Sequence, residues 1–174
     1  MSTSPAPKPA RSKRQVRIPA RVIFTDPWCF LGFGFGSGLA KTAPGTFGTL
    51  AAFPLYALMA QLRLPVYLMS VLTLFLIGIL ICQRSEDRIK VNDHSGIVWD
   101  EIVGFLITMT AAPLSWPALA AGFVLFRLFD ILKPWPICHL DRSLHGGLGI
   151  MLDDALAGLL AALSLHWLLP YLSS

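Results

Sequence analysis

Apolar residues in this chain gather into long runs separated by short polar stretches. The first run, 47–62, is followed after Arg63 by a second, 65–82. The two read as a helical hairpin with a tight turn that carries a single charge. Residues 83–93 then hold six charges in eleven positions and return the chain to water. A third run, 97–129, is too long for one helix and is broken by Pro113, Ser115, Trp116 and Pro117. That break predicts two helices, over roughly 97–112 and 117–132. After a polar, turn-rich stretch at 133–153, a last helix is predicted over 154–169, ended by Pro170. Ahead of the first run, 26–48 carries six glycines with Pro27 and Pro44 and reads as loop. The pattern therefore predicts an all-α bundle of about five or six apolar helices.

Composition turns this bundle into an integral membrane protein. Apolar residues make up 55% of the chain and charged residues 14%, where a soluble domain has about 25% charged. Mean hydropathy is +0.63. A chain of 174 residues forms one domain and has too much surface to cover with so few charges. Six of the fourteen basic residues, Lys8, Arg11, Lys13, Arg14, Arg17 and Arg21, precede the first acid, Asp26. Residues 1–25 are thus expected to be a disordered basic tail, with the helical membrane domain over 26–172. The apolar stretch at 30–38 is short and glycine-laced, unlike the core of a cleaved signal. The charged connections (tail, 83–96, 133–153) fall on one side of the five-helix path. The positive-inside rule puts that side in the cytoplasm. Cys29, Cys82 and Cys138 are widely spaced and read as reduced apolar residues rather than as a disulfide or metal set.

Against this apolar background the acids are concentrated. Seven of ten lie between Asp93 and Asp154: Asp93, Asp100, Glu101, Asp130, Asp141, Asp153 and Asp154. Asp100 and Glu101 open the third helix, Asp130 lies near the end of the fourth, and Asp153 and Asp154 begin the last. In the predicted topology all three groups reach the cytoplasmic edge of the hydrocarbon, where carboxylates are costly and need a partner or a function. Helix capping accounts for one acid per helix start. It does not account for two adjacent pairs, nor for Asp130 at a helix end, where the dipole is unfavourable. Carboxylates from three helices suit a hard cation such as Mg²⁺, which is bound with water and substrate phosphate.

Cations and donors for a phosphate accompany the acids. Arg127 lies one turn before Asp130, and its planar fork suits a phosphate. Lys133 is three residues beyond. The glycine-rich stretch 36–50 offers backbone amides and the hydroxyls of Ser37 and Thr46 at a helix start. Cys82 and Arg88 have the spacing of cysteine phosphatases, but Glu86 and Asp87 between them would repel the substrate. His94 and His145 flank the acids as candidate proton carriers, whereas His166, far along the last helix, reads as structural. A cation transporter using the acids as an ion site is the alternative class. It calls for broken helices near the midplane rather than acids at helix ends on one side.

Four segments, in order, resemble the phosphatidylglycerophosphatase A family: Gly36-Ser-Gly-Leu with Ala43-Pro-Gly-Thr-Phe-Gly-Thr-Leu; Asp93-His-Ser-Gly-Ile-Val-Trp-Asp-Glu-Ile-Val-Gly; Phe126-Arg-Leu-Phe-Asp-Ile-Leu-Lys-Pro-Trp-Pro-Ile; and His145-Gly-Gly-Leu-Gly-Ile-Met-Leu-Asp-Asp-Ala-Leu-Ala-Gly. The resemblance implies Mg²⁺-dependent removal of the terminal phosphate of phosphatidylglycerophosphate to give phosphatidylglycerol. It also implies an all-helical fold around a central helix, in the bacterial inner membrane. The implied partner is the phospholipid in its bilayer; nucleic acid is not expected. Carried onto matching positions, it assigns Asp93, Asp100, Glu101, Asp153 and Asp154 to the metal. Asp130 becomes ligand or base, and Arg127 and Lys133 hold the phosphate.

Overall fold

The computed structural model describes residues 18–92, 94–134 and 146–172, and its elements are all helical. Two short helices, α1 (Ala20–Thr25) and α2 (Pro27–Gly32), lead through a 3-10 segment (Gly34–Leu39) into α3 (Pro44–Met59). Then follow α4 (Leu64–Ile89), α5 (Trp99–Thr108), α6 (Trp116–Leu132) and α7 (Gly146–Leu172). The central helix is α5: nine of its ten residues are buried, and α3, α4, α6 and α7 all pack on it.

Side-chain contacts fix the direction of each neighbour. Gly48 lies against Val98, Phe53 stacks on Phe105 at 5.0 Å, and the Tyr56 hydroxyl donates to the Ala112 carbonyl at 2.8 Å. So α3 runs parallel to α5. On α4, the Leu74 carbonyl accepts from the Trp99 indole at 3.3 Å, and the Tyr67 hydroxyl donates to the Leu106 carbonyl at 2.6 Å, so that helix is antiparallel. α6 is antiparallel too, with Phe126 on Gly104 and Gly122 on Met109. α7 is parallel to α5 and touches it backbone to backbone: a Cβ on Gly158 would stand 2.4 Å from the Gly104 carbonyl oxygen. Thr108 donates to the carbonyls of both Gly104 and Gly158, at 3.0 and 3.3 Å. The starts of α3, α5 and α7 and the ends of α4 and α6 therefore share one end of the bundle.

Several helix boundaries differ from the sequence expectation, each for a packing reason. α7 begins at Gly146, eight residues before the predicted start, so Asp153 and Asp154 lie in its interior and do not cap it. Glycines 146, 147 and 149 resemble a turn, but a Cβ on Gly147 would meet the Ile79 carbonyl oxygen at 2.1 Å. Close approach to α4 therefore demands glycine there. The Gly147 amide donates to Gln83 Oε1 at 3.0 Å, which ties this helix start to α4. α7 also passes through Pro170, so near its end that only two further residues follow it in the helix. α4 continues to Ile89 through the charged stretch, burying Ile81, Cys82, Ser85 and Glu86 while Gln83, Arg84, Asp87 and Arg88 face outward. Charge ended the apolar run without ending the helical period. The supposed loop at 26–48 contains α2, whose N-cap Asp26 accepts from the Trp28 and Cys29 amides at 2.9 and 3.2 Å. Residues 20–25, expected in the tail, form α1 with Ile23 fully buried. Residues 1–17 of that tail lie outside the described residues.

The outer surface is a belt of large apolar side chains. Met69, Leu72, Leu76 and Leu80 on α4, Val124, Leu128 and Ile131 on α6, and Leu159 and Leu163 on α7 are all exposed. Two helices, α4 and α7, are long and apolar enough to cross a membrane. α3, α5 and α6 have 16, 10 and 17 residues, so α5 spans only about 15 Å.

The α5–α7 contact leads to a stability prediction. Gly158→Ala is expected to destabilise the protein by about 1–3 kcal/mol, because neither backbone can yield without parting the helices. Leu163→Ala, on the exposed belt, should stay within about 0.5 kcal/mol. Unfolding midpoints of the two variants in detergent check the difference.

Candidate active site

The glycine contact decides where the acids meet. Asp100 stands four residues before Gly104 on α5, and Asp154 four residues before Gly158 on α7. Four residues is about one helical turn, so parallel helices touching at the glycines bring the two aspartates level. Ligand oxygens of Asp100, Glu101 and Asp154 lie within 4.8 Å of one another, and all three residues are buried. Of the acids predicted for the metal, these are the ones gathered in one group. Asp153, next to Asp154 but turned about 100° around the helix, forms an ion pair with Lys133 instead. Asp93 lies outside the described residues, as does His145.

The second wall comes from α6 and α3. Arg127 Nη1 donates to Asp130 Oδ2 at 2.5 Å, an i, i+3 pair in which both side chains are largely buried. Lys133 ends α6 in a left-handed conformation (φ 42°), which aims its ammonium at α7. Against these charges stands Gly45, the second residue of α3. A Cβ there would lie 2.4 Å from Glu101 Oε1 and 2.9 Å from Arg127 Nη1. Only a bare backbone fits between them, so the start of α3 is part of the site. Sequence reasoning placed this glycine in an anion-binding stretch but missed its contact with Glu101 and Arg127. Thr46, expected to meet phosphate, is half-buried one residue further on. Ser37 lies on the 3-10 segment; its buried hydroxyl has no hydrogen-bond partner among the described residues. It sits where a Cβ on Gly34 would come, beside Val98 at the head of α5.

The remaining candidates make contacts away from the group of three acids. His94 is buried and its Nδ1 accepts from the Gly96 amide at 2.9 Å. His166 bonds the Ala162 carbonyl at 2.9 Å in the far half of α7. Cys82 is buried within α4, and Arg88 pairs with Asp26 at 3.2 Å, so the phosphatase-like spacing forms no phosphate cradle.

The acids are also deeper than expected. Trp99, just before Asp100, is level with Leu74–Gly78 of α4. That is five to nine residues short of Gln83, or about 8–14 Å. α3 begins and α6 ends near this level, while α4 and α7 run on past it. The carboxylates are thus recessed behind α4 rather than flush with its charged end.

The model of the family Phosphatidylglycerophosphatase A matches residues 30–169. The chain belongs to the phosphatidylglycerophosphatase A family. It is 44% identical over 160 residues to the Phosphatidylglycerophosphatase A of Escherichia coli, covering 88% of this chain and 93% of that one. To the protein of the same name from Haemophilus influenzae it is 43% identical over 155 residues, covering 86% and 95%. A Bacteroides thetaiotaomicron protein, provisionally named a phosphatidylinositol-3-phosphatase, is 37% identical over 136 residues, covering 74% and 84%. No solved structure matches significantly. All four segments that carried the resemblance in sequence fall wholly or partly in elements that build this site.

Gly45 separates stability from activity. Gly45→Ala is expected to lower stability only modestly, by about 1–2 kcal/mol, because the atoms it meets are the ends of the Glu101 and Arg127 side chains rather than backbone. It should nevertheless lower phosphatase activity about a hundredfold by displacing Glu101 and Arg127. Phosphate release and thermal unfolding of the same preparation test both halves.

Proposed function

We propose that this chain hydrolyses the terminal phosphomonoester of phosphatidylglycerophosphate, giving phosphatidylglycerol and phosphate, with Mg²⁺ at Asp100, Glu101 and Asp154. One observation carries the reading: three buried carboxylates converge at the end of the bundle where Arg127 and Lys133 arrive. The donor set fits the ion. Oxygens around one Mg²⁺ at about 2.1 Å lie about 3–4 Å apart, a small contraction from the 4.8 Å limit found here. All three donors are carboxylate oxygens, the choice of a hard cation over a softer one.

When bound, Mg²⁺ supplies positive charge that polarises a phosphoryl group and acidifies water. The chain's own residues do the rest. Arg127, fixed by Asp130 and by the face of Gly45, presents a planar fork to the phosphate oxygens. Lys133, steadied by Asp153, adds a second cation against the charge that develops as the P–O bond lengthens. Asp130, outside the group of three, takes the proton from the attacking water as its partner Arg127 is drawn to the phosphate oxygens. That proton then passes to the departing glycerol oxygen, so the products are the alcohol and inorganic phosphate. The start of α3 adds backbone amides and the positive end of a helix dipole.

The membrane setting belongs to the same proposal. The exposed apolar belt and the length of α4 and α7 support a multi-pass protein of the bacterial inner membrane. The basic N-terminal stretch supports a cytoplasmic site. On the α3–α6 side the polar boundary then falls at the acids themselves, within reach of a lipid head group. Acids where three helices begin or end favour head-group chemistry over ion passage.

Purified protein in detergent micelles is expected to release phosphate from phosphatidylglycerophosphate with Mg²⁺ and to stop on chelation. Asp100→Asn and Asp154→Asn should each cost at least about a hundredfold in kcat. Release that survives chelation, or is unchanged in both variants, removes the metal from the proposal. Faster release from phosphatidylinositol 3-phosphate would reassign the head group.

A further inference from the structure

Beyond the acids, two stripes of side chains lead away from the site. On α3, Gly45, Thr49, Phe53 and Ala57 recur every four residues and form one stripe inclined to the helix axis. On α6, Arg127, Phe123 and Leu119 do the same in the opposite direction. The stripes meet at the site, where Gly45 faces Arg127. They meet again where Phe53 and Phe123 pack edge to face at 6.1 Å. Beyond that contact the helices part, leaving a groove of about 380 Å³ lined by Phe53, Pro54, Ala57, Leu114, Trp116 and Leu119. Its volume lies within the range of ligand sites, about 300–1,000 Å³.

We infer that this groove holds the distal half of one acyl chain of the lipid whose phosphate is bound at Arg127. The inference rests on the reading of the site as a lipid phosphatase and adds where the tail goes. Depth supports this occupant. Leu119 is eight residues from Arg127, and Ala57 twelve from Gly45, or about 12 and 18 Å along the helices. Half the hydrocarbon core of a bilayer is about 15 Å, so a chain descending from a head group at the site ends at this level. Continuity supports it as well, because the same two helices bound the site and the groove. A second copy of the chain would need a broad self-complementary face, and this is a narrow slot on a belt whose other exposed side chains suit lipid. Ala57 makes the room: a larger side chain there would fill the slot without reaching the acids.

The test compares long-chain phosphatidylglycerophosphate in mixed micelles with a dihexanoyl analogue in solution. Ala57→Trp is expected to lower kcat/KM on the long-chain substrate about tenfold and to leave the short-chain value unchanged. Leu163→Trp, on the α7 belt, should alter neither. Equal values on both substrates, whether unchanged or equally reduced, would overturn the inference. Should Ala57→Trp fail to fold, the wild-type protein answers through a lipid carrying a photoreactive group near the chain terminus. Labelling concentrated in residues 53–57 and 114–119 supports the groove, and labelling spread evenly along α4 and α7 rejects it. A wild-type protein inactive on both chain lengths sinks the phosphatase reading instead, and the labelling pattern then decides the groove alone.

Discussion

Asp100 and Asp154 come within reach of a single ion where the backbones of α5 and α7 nearly touch, at Gly104 and Gly158. Any side chain at Gly158 would press on the Gly104 carbonyl, and one at Gly104 on Phe126 and the Asp154 carbonyl. Thr108 stitches the same crossing with hydrogen bonds to both glycine carbonyls. From this contact follow the level of Asp100 with Asp154, the burial of α5 among four helices, and the placing of α6 across the remaining face.

Bringing them together has an electrostatic cost. Two ionised carboxylates 4.8 Å apart repel by about 3.5 kcal/mol at an effective dielectric of about 20, and three residues make three such pairs. Beside them Arg127 pairs with Asp130 and Lys133 with Asp153. Those pairs hold the second wall in position, because removing one partner of a buried pair strands the other. The arrangement separates two tasks. Asp100, Glu101 and Asp154 are crowded into one group, while Asp130 and Asp153 orient the cations.

How much of this was legible in the sequence follows from what each residue reports. Acids inside apolar runs stand out because they are costly there, so Asp100, Glu101, Asp130 and Asp154 are recognisable from the order of residues alone. The division between Asp153 and Asp154 is not. Neighbours on a helix point about 100° apart, and which one faces α5 depends on the rotation of α7. That rotation is set by Gly147 against Ile79 and Gly158 against Gly104. The same glycines misled the placing of helix ends, since a glycine demanded by a close approach looks like a glycine demanded by a turn. A shared spacing was available, however: Asp100 and Asp154 are each followed four residues later by glycine. Two acid-bearing helices with the same offset to a small residue are a sign that they cross there.

The recess of the acids behind α4 changes what the bundle can admit. α4 and α7 continue past the site with α1 and α2 braced on the end of α4, through Arg88 on Asp26 and Ser85 on the Trp28 carbonyl. α3 starts, and α6 stops, beside the carboxylates. A ligand arriving along the axis of α4 would face a wall on one side, whereas one arriving between α3 and α6 meets Gly45, Arg127 and Lys133 directly. That side also carries exposed apolar residues, among them Phe47, Leu128 and Ile131. A site with charge at its floor and apolar flanks at its mouth matches a molecule with a phosphate at one end and hydrocarbon at the other. A soluble phosphate ester lacks the part that would contact those flanks, and a free cation lacks both. The shortness of α5 is what allows this: a central helix of full membrane length would carry its first residues, and the acids, up beyond the reach of the flanking apolar faces.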